Sequence, residues 1–367
     1  MNILYITAMK GYKFSGLTTA VPKHIESQSL FDNVFWYNVI ELAVPIDNCM
    51  VPCHTILEYP NLDINELPYP FNKPDIVIFE DFYYRQFLEL AYQIYKMGIP
   101  YVIVPHCCFC KLAQNTKYFK KKIANILAFS YFAKFAIAIH YLTVREYLDS
   151  GVHWNKKHFI IPNGAEIPLV ENKKIPHKNI IGTFIGRLDI HHKGLDLLIQ
   201  AVSLIKEQLK VNNFVINIYG ADTMGDKSKL IDMVKHENLD DLVFIKPAVY
   251  DDEKENVLRS TDFFILTSRY EGHPMGLLEA LAYGIPVLAT YGTNIGEEIK
   301  QNDAGWVCNC DSYEIKSQME RILLETNKFE IKGKNAAMLA RQYKWSNIAK
   351  EAHDQYVKLL QVKILED

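Results

Sequence analysis

Two carboxylates eight positions apart, Glu271 and Glu279, frame the segment Glu271-Gly272-His273-Pro274-Met275-Gly276-Leu277-Leu278-Glu279. Just upstream, Asp262-Phe263-Phe264-Ile265-Leu266-Thr267-Ser268 has the length and apolar content of a buried strand. The element is therefore strand, loop, helix, and the helix is expected to begin near Met275. Pro274 suits the first helical turn, where its missing N–H costs nothing. A helix start leaves backbone N–H groups without partners and carries a partial positive charge. Those groups, at Met275, Gly276 and Leu277, form an anion site of the kind that takes phosphate. Glu271 before the helix and Glu279 about one turn inside it can hold hydroxyl groups on either side of that phosphate. An ordinary βα unit with one surface and one helix-internal glutamate would look the same, so this segment alone leaves both readings open.

A second strand-loop-helix element adds cations. Ile180-Ile181-Gly182-Thr183-Phe184-Ile185-Gly186 reads as a strand, and an amphipathic helix follows from Leu195 to about Leu209. Arg187 and Lys193 bracket the loop between them. A guanidinium offers a planar fork of donors and an ammonium a point charge, a combination suited to a diphosphate. The alternative is a solvated basic loop.

Together these segments resemble the motifs of retaining, nucleotide-sugar-dependent glycosyltransferases of family 4 (glycosyl transferases group 1). That family has the α/β GT-B fold, two Rossmann-like doubly wound domains facing across a cleft. Its paired-glutamate motif runs Glu-Gly-aromatic/small-Pro, then Leu-Glu-Ala, and here His273 occupies the aromatic slot. The resemblance implies that Arg187 and Lys193 hold the donor's diphosphate. It gives Glu279 to the ribose hydroxyls and Glu271 to those of the donor sugar. Gly186, Gly220, His273, Pro274, Met275, Gly276 and Leu277 would complete the donor site. Asn163, in Ile161-Pro162-Asn163-Gly164-Ala165, matches a Pro-Asn-Gly segment at the domain junction. His106 matches a histidine placed near the donor sugar at the end of an N-domain strand. Gly16, after Ser15, stands where the family often carries Gly-Gly to let the backbone approach the phosphates. Thr293-Asn294-Ile295-Gly296-Glu297-Glu298 corresponds to another Gly-Gly loop with one glycine replaced. Phe244-Ile245-Lys246-Pro247 lies where the base would be held, with no base-reading side chain to name.

The elements that must position these residues alternate in two series. Strands are expected near 2–7, 33–40, 75–79, 100–105, 135–140 and 157–161, then near 180–186, 214–219, 241–245, 262–267, 286–290 and 305–308. Such alternation implies parallel sheets covered on both faces. Residues 1–170 are expected to form an acceptor-binding domain and 171–344 a nucleotide-sugar-binding domain, joined by a polar linker at 171–179. The last helix, about Trp345 to Leu360 within 345–367, is expected to cross back onto the first domain, as the family's Tyr-Lys-Trp-Ser segment does. No Gly-x-Gly-x-x-Gly follows the first strand and no Walker loop occurs, which disfavours a nicotinamide enzyme or a P-loop enzyme.

Composition narrows the rest. The 367 residues include 40 Lys and Arg against 43 Asp and Glu, and this slight acidity argues against a general nucleic-acid binder. No stretch reaches the length of a spanning helix, and the N-terminus enters a strand directly, so neither a transmembrane segment nor a signal peptide is expected. Seven cysteines, without two Cys-x-x-Cys knuckles, read as free thiols of a reducing cytoplasm rather than a zinc site. From His106 to Ile160, nine Lys and Arg face two acids. Within that stretch Lys117-Tyr118-Phe119-Lys120-Lys121-Lys122 leads an apolar helix, Ile123 to Phe132, suited either to solvent or to the inner face of an anionic membrane. The expected reaction moves a sugar from a nucleoside diphosphate donor to a carbohydrate or lipid-linked acceptor in surface polysaccharide biosynthesis. No metal or other cofactor is expected, because Arg187, Lys193 and the helix start would carry the diphosphate and no Asp-x-Asp motif occurs. A nucleotide-sugar epimerase and a non-catalytic partner subunit are the alternatives.

Overall fold

Ile3-Leu4-Tyr5-Ile6 and Ile76-Val77-Ile78-Phe79 are apolar at every position, and all eight residues are fully buried. Side chains along a strand point alternately to opposite faces, so both faces of these strands lie under cover. That is the pattern of a parallel sheet between helical layers, and the computed structural model of the chain contains two such sheets. It describes residues 1–46, 49–151, 153–168 and 175–366, with side chains to Lys363.

The chain divides into two units, Met1–Gly164 with Trp345–Asp367, and Ala165–Lys344. In the first, β1 (Asn2–Thr7), β2 (Asn33–Asn38), β3 (Cys53–Thr55), β4 (Ile76–Glu80), β5 (Tyr101–Val104), β6 (Ala138–Tyr141) and β7 (His158–Ile160) form one sheet. Its order is β3-β2-β1-β4-β5-β6-β7, and every described pairing is parallel. In the second, β8 (Ile180–Ile185), β9 (Phe214–Tyr219), β10 (Val243–Lys246), β11 (Phe263–Leu266), β12 (Val287–Thr290) and β13 (Gly305–Cys308) are ordered β10-β9-β8-β11-β12-β13, also parallel. Strand order reverses between β1 and β4 and between β8 and β11. In doubly wound sheets ligands bind at the carboxyl ends of the strands at such switch points.

Several expectations shift at this level. The first unit ends at Gly164 rather than 170, because the Ala165 amide donates to Tyr343 O at 2.6 Å and Ala165 bridges Lys344. Of the expected linker, 171–174 lie outside the described residues. Ile175 already donates to Arg259 O at 3.0 Å, and so belongs with the second unit. The strand expected at 135–140 starts at Ala138. Phe135 ends a helix (Ser130–Phe135), and Asn155 Nδ2 satisfies the carbonyls of Ala133 and Ala136 there. β3 has no counterpart in the expected series, since three half-buried residues carry no periodic signal. The helix expected over 195–209 divides at Ile205 into Leu195–Leu204 and Lys206–Val211, with no glycine or proline at the break. The final helix runs from Trp345 to Glu366 and packs on the helix Gly16–Gln28 of the first unit. All seven cysteines are free thiols.

Candidate functional site

The second unit gathers the charged residues of its two loops around one buried carboxylate. The helix Met275–Ala282 follows β11 and buries Leu277, Leu278 and Leu281. Pro274 is its N-cap (φ −77°, ψ 115°) rather than a residue of the first turn, and no side chain caps the helix. The amides of Leu277 and Leu278 both donate to Pro274 O at 3.1 Å. The exposed anion site is therefore narrower than Met275 to Leu277. At this helix start the amides of Met275 and Gly276 have no acceptor among the described residues, and Leu277 contributes packing.

The cationic loop is held just as firmly. Gly186 donates to Tyr219 O at 3.0 Å, and Gly220 lies so near Gly186 that a Cβ on Gly220 would stand 2.2 Å from the Gly186 carbonyl oxygen. Asp189 caps the short turn Ile190–Lys193 by accepting from the His192 amide at 2.9 Å. Gly194 ends that turn in the left-handed region (φ +62°), and a Cβ there would lie 2.1 Å from Thr267 O. Thr267 Oγ1 donates to the carbonyls of Lys193 (3.1 Å) and Gly194 (3.0 Å). These contacts fasten the loop to the end of β11 and aim Lys193 at the glutamate.

Lys193 Nζ donates to Glu271 Oε1 at 2.5 Å, and Ser268 Oγ donates to the same oxygen at 2.6 Å. Asn294 Nδ2 donates to the Glu271 carbonyl. Burial pushes the Glu271 carboxyl up. The Lys193 charge and the hydrogen bonds from Lys193 and Ser268 outweigh it and hold Glu271 below the usual carboxylate range. His192 stacks on Tyr270, with ring centroids 4.2 Å apart, and its Nε2 lies 2.8 Å from Tyr270 O. Burial lowers its pKa against the pull of Glu271, which leaves the ring neutral. With Nε2–H donating to that carbonyl, Nδ1 is an acceptor for Arg187 Nη2 at 3.4 Å. Among the described residues Arg187 has no carboxylate partner, so its fork is open to an anion.

Glu279 is in contact with Lys254 Nζ, though the two groups are not aligned as a hydrogen bond. His273 is buried, with its ring edge toward Tyr343 at 5.1 Å. Of the residues singled out from sequence, Gly186, Arg187, Lys193, Gly220, Glu271, His273, Pro274, Met275, Gly276 and Glu279 thus belong to this unit. His192, Lys254, Ser268 and Asn294 join the network: His192 and Ser268 adjoin the two loops in sequence, Asn294 comes from the Thr293–Glu298 loop noted above, and Lys254 carries no sequence signal of its own.

His106, Asn163 and Gly16 lie in the first unit. His106 follows β5 with a left-handed backbone (φ +45°), and its Nε2 is 2.6 Å from Glu80 Oε2. The other Glu80 oxygen lies 3.0 Å from His24 Nδ1. Burial works against charge on His106, but the Glu80 hydrogen bond and charge raise its pKa. Both histidines hold the Glu80 carboxyl far below its ordinary value despite its burial. Asn163 is buried next to Gly164, whose Cα faces the Trp345 ring. Gly16 opens the helix Gly16–Gln28 with nothing within 4 Å of a Cβ, so no neighbour within the protein requires glycine there.

The basic stretch is helical: Tyr118–Ala124, a π-helical turn Asn125–Phe129, and Ser130–Phe135. Phe119 (79% exposed), Leu127 (73%) and Ile126 (65%) stand out from it among the lysines. Among the described residues no helix is long and apolar enough to cross a membrane, and no group of three His, Cys, Asp or Glu is arranged to hold a metal.

Residues 168–338 match the family "Glycosyl transferases group 1". An uncharacterized glycosyltransferase of Methanocaldococcus jannaschii is 30% identical over 207 residues, 54% of this chain and 52% of that protein. An amylovoran biosynthesis glycosyltransferase of Erwinia amylovora is 31% identical over 121 residues, 31% of this chain and 29% of that protein. The chain thus spans about half the length, or less, of these two relatives. The crystal structure of Anabaena HepE in complex with UDP-glucose matches at a TM-score of 0.76 and 14% identity, covering 98% of this chain and 100% of that one. Residues 168–338, within the second unit but for its edges, thus carry the match to glycosyl transferases group 1, and the chain has the GT-B fold along its length.

Proposed function

We propose that this chain is a retaining glycosyltransferase that moves a sugar from a nucleoside diphosphate donor to a carbohydrate or lipid-linked acceptor in polysaccharide assembly. The observation that carries this reading is the arrangement of Arg187, open to an anion, beside the uncapped amides of Met275 and Gly276 and the Lys193–Glu271–Ser268 network. A similar protein with UDP-glucose bound and a relative named for amylovoran biosynthesis support it.

In this mechanism the bond between the anomeric carbon and the diphosphate oxygen breaks, and negative charge grows on the departing phosphate. Arg187 and the two amides meet that charge. Lys193 has three donors, so it can keep Glu271 and still reach a phosphate oxygen. The acceptor hydroxyl bonds to the same face of the sugar and gives its proton to the departing phosphate, which accounts for retention without a covalent nucleophile. Glu271 accepts from the donor sugar's hydroxyls and Glu279 from the ribose, while His106 contacts the sugar from the first unit. Two cations and a helix start stand where a divalent ion would otherwise neutralise the diphosphate, so the reaction is proposed to need no metal.

We also propose that the Lys117–Lys122 helix rests on the cytoplasmic face of an anionic membrane, where lysines and exposed apolar side chains together favour binding.

The test is incubation with a panel of UDP-, GDP- and dTDP-sugars and oligosaccharide acceptors, with and without EDTA. Transfer with retained anomeric configuration, unaffected by chelator, is expected. Epimer formation would assign the chain to epimerases, absence of any turnover to non-catalytic partners, and loss of activity with EDTA would remove the metal-free mechanism.

A further inference from the structure

Glu80 is the last residue of β4, at the place where strand order reverses between β1 and β4. The register sets it beside Thr7 of β1 and Val104 of β5. Its side chain is 1% exposed, and each of its oxygens meets one imidazole. Oε2 lies 2.6 Å from His106 Nε2, and Oε1 lies 3.0 Å from His24 Nδ1. The three residues come from β4, the turn after β5 and the helix Gly16–Gln28, so the cluster is made by the fold. Among the described residues no lysine or arginine pairs with Glu80. A buried carboxylate held in its ionised form needs a positive charge beside it, and here only a histidine can carry one. His106 is the histidine that does. Burial opposes its charge, but the Glu80 hydrogen bond and charge, followed by the charges of Asp81 and Glu146, raise its pKa. His140 of β6 faces His24 edge-on with ring centroids 6.0 Å apart, and burial keeps it neutral.

The turn that carries His106 has an unusual backbone. His106 (φ +45°) and Cys107 (φ +67°) both occupy the left-handed region, which residues with a Cβ seldom adopt. Two such residues in succession persist only where their surroundings over-determine them. The Cys107 amide donates to Glu146 Oε1 at 2.5 Å, and the Cys108 amide donates to Pro105 O at 2.9 Å. Glu80 supplies the third restraint, on the ring itself. His106 Nδ1 has no hydrogen-bond partner among the described residues and is not sealed from solvent, whereas His24 Nε2 is. Of the two imidazoles on Glu80, His106 is therefore the one with a nitrogen available to a ligand.

We propose that Glu80 is a positioning residue: it fixes the His106 ring through Nε2–H and keeps it an imidazolium, so that Nδ1–H donates to an oxygen of the transferred sugar. This rests on the contact of His106 with the donor sugar proposed above and deepens it. A neutral ring with Nε2–H on Glu80 would offer a lone pair at Nδ1 and could only accept from a sugar hydroxyl. The carboxylate on the neighbouring strand thus sets the direction of the hydrogen bond that His106 makes.

The experiment uses the full chain with isotope-labelled histidine. Long-range proton–nitrogen spectra from about pH 5.5 to 9 follow the ring nitrogens, and His106→Gln identifies their signals. In wild type both His106 nitrogens should be protonated near pH 7.5. Glu80→Gln keeps the shape and removes the charge, so the titration midpoint of His106 should fall by about one to three pH units. Glu80→Asp should recover part of that shift. With the donor that wild type turns over in the nucleotide-sugar panel above, Glu80→Gln should lower kcat about 10- to 100-fold near pH 8. KM should change little, and the deficit should shrink as pH falls and the ring regains its proton. Added to His106→Gln, Glu80→Gln should cost kcat nothing more. A loss of equal size at every pH, additive to that of His106→Gln, is what a merely structural Glu80 gives, and it would overturn the positioning role. A wild-type His106 that is neutral near pH 7.5 would overturn it too, even if no Glu80 variant folds, as would a ring that titrates alike with and without the Glu80 charge. Full activity in His106→Gln would remove the sugar contact and this role with it. Absence of turnover with every donor would remove the glycosyltransferase reading instead, and the spectra would then decide by themselves whether Glu80 keeps His106 charged.

Discussion

Lys193 Nζ and Glu271 Oε1 stand 2.5 Å apart, both largely buried, and each comes from a different βα loop. The ammonium expected to grip a diphosphate is thus already engaged by the carboxylate expected to hold the sugar. Lowered by its neighbours, Glu271 is a carboxylate that can accept hydroxyl protons but gives none. Glu271→Gln leaves Lys193 charged and without its counter-ion, and breaking one side of a buried pair costs about 3 kcal/mol. Chemical denaturation should show that loss, and turnover should fall at least a hundredfold. In the double variant with Lys193→Met the two stability losses should be less than additive. Near-normal turnover of Glu271→Gln would remove its catalytic assignment.

Arg187 has no carboxylate partner among the described residues. Its side chain touches only the acceptor nitrogen of neutral His192 among the hydrogen bonds of the site. Arg187→Ala should weaken UDP binding by about 10- to 100-fold, the worth of a charge-assisted contact, with stability little changed. Calorimetry with UDP measures it, and unchanged affinity would argue that the diphosphate lies elsewhere.

Gly194 and Gly16 should respond in opposite ways to alanine. At Gly194 a Cβ meets Thr267 O at 2.1 Å in a left-handed backbone, so Gly194→Ala should cost more than 2 kcal/mol and displace Lys193. At Gly16 the space is empty, so Gly16→Ala should leave the melting temperature within a degree or two. If Gly16 admits the phosphates or acceptor, activity alone falls. Full activity in Gly16→Ala would release that residue from the site.

Two histidines of the first unit should give opposite pH slopes. His106 has a raised pKa, so its stabilising contribution is complete below the unfolded value of about 6.5 and is lost as pH rises through the higher folded value. His140 is buried, its Nε2 is 2.8 Å from Ile161 O, and burial pulls its pKa down to about 3. Its contribution is present above about 6.5 and is lost as pH falls toward 3. Thermal melts from pH 4 to 9 should show His106→Gln flattening the alkaline limb and His140→Gln the acid limb. A variant whose limbs keep the wild-type slope contradicts its assignment.

The chain's own pattern fixed a great deal. Ile3 to Ile6 and Phe263 to Leu266 read as strands because burial on both faces leaves no polar alternation to confuse them. Glycine and proline marked the loops, and the charge spacing of Arg187, Lys193, Glu271 and Glu279 marked the chemistry. These are local signals, carried by residues within a few positions of one another. What required the tertiary structure was every contact across long separations: Lys193 with Glu271, Glu80 with His24 and His106, and Lys254 with Glu279. Periodicity reports which face of an element is apolar, but the partner that meets a given side chain is set by strand order and by the loops that bring distant βα units together. For the same reason the sequence groups Leu277 with the open amides, whereas its N–H donates to the Pro274 carbonyl. The sequence determined the elements and the types of charge; only the packed sheets decided which charges neutralise each other and which, like Arg187, have no carboxylate partner among the described residues.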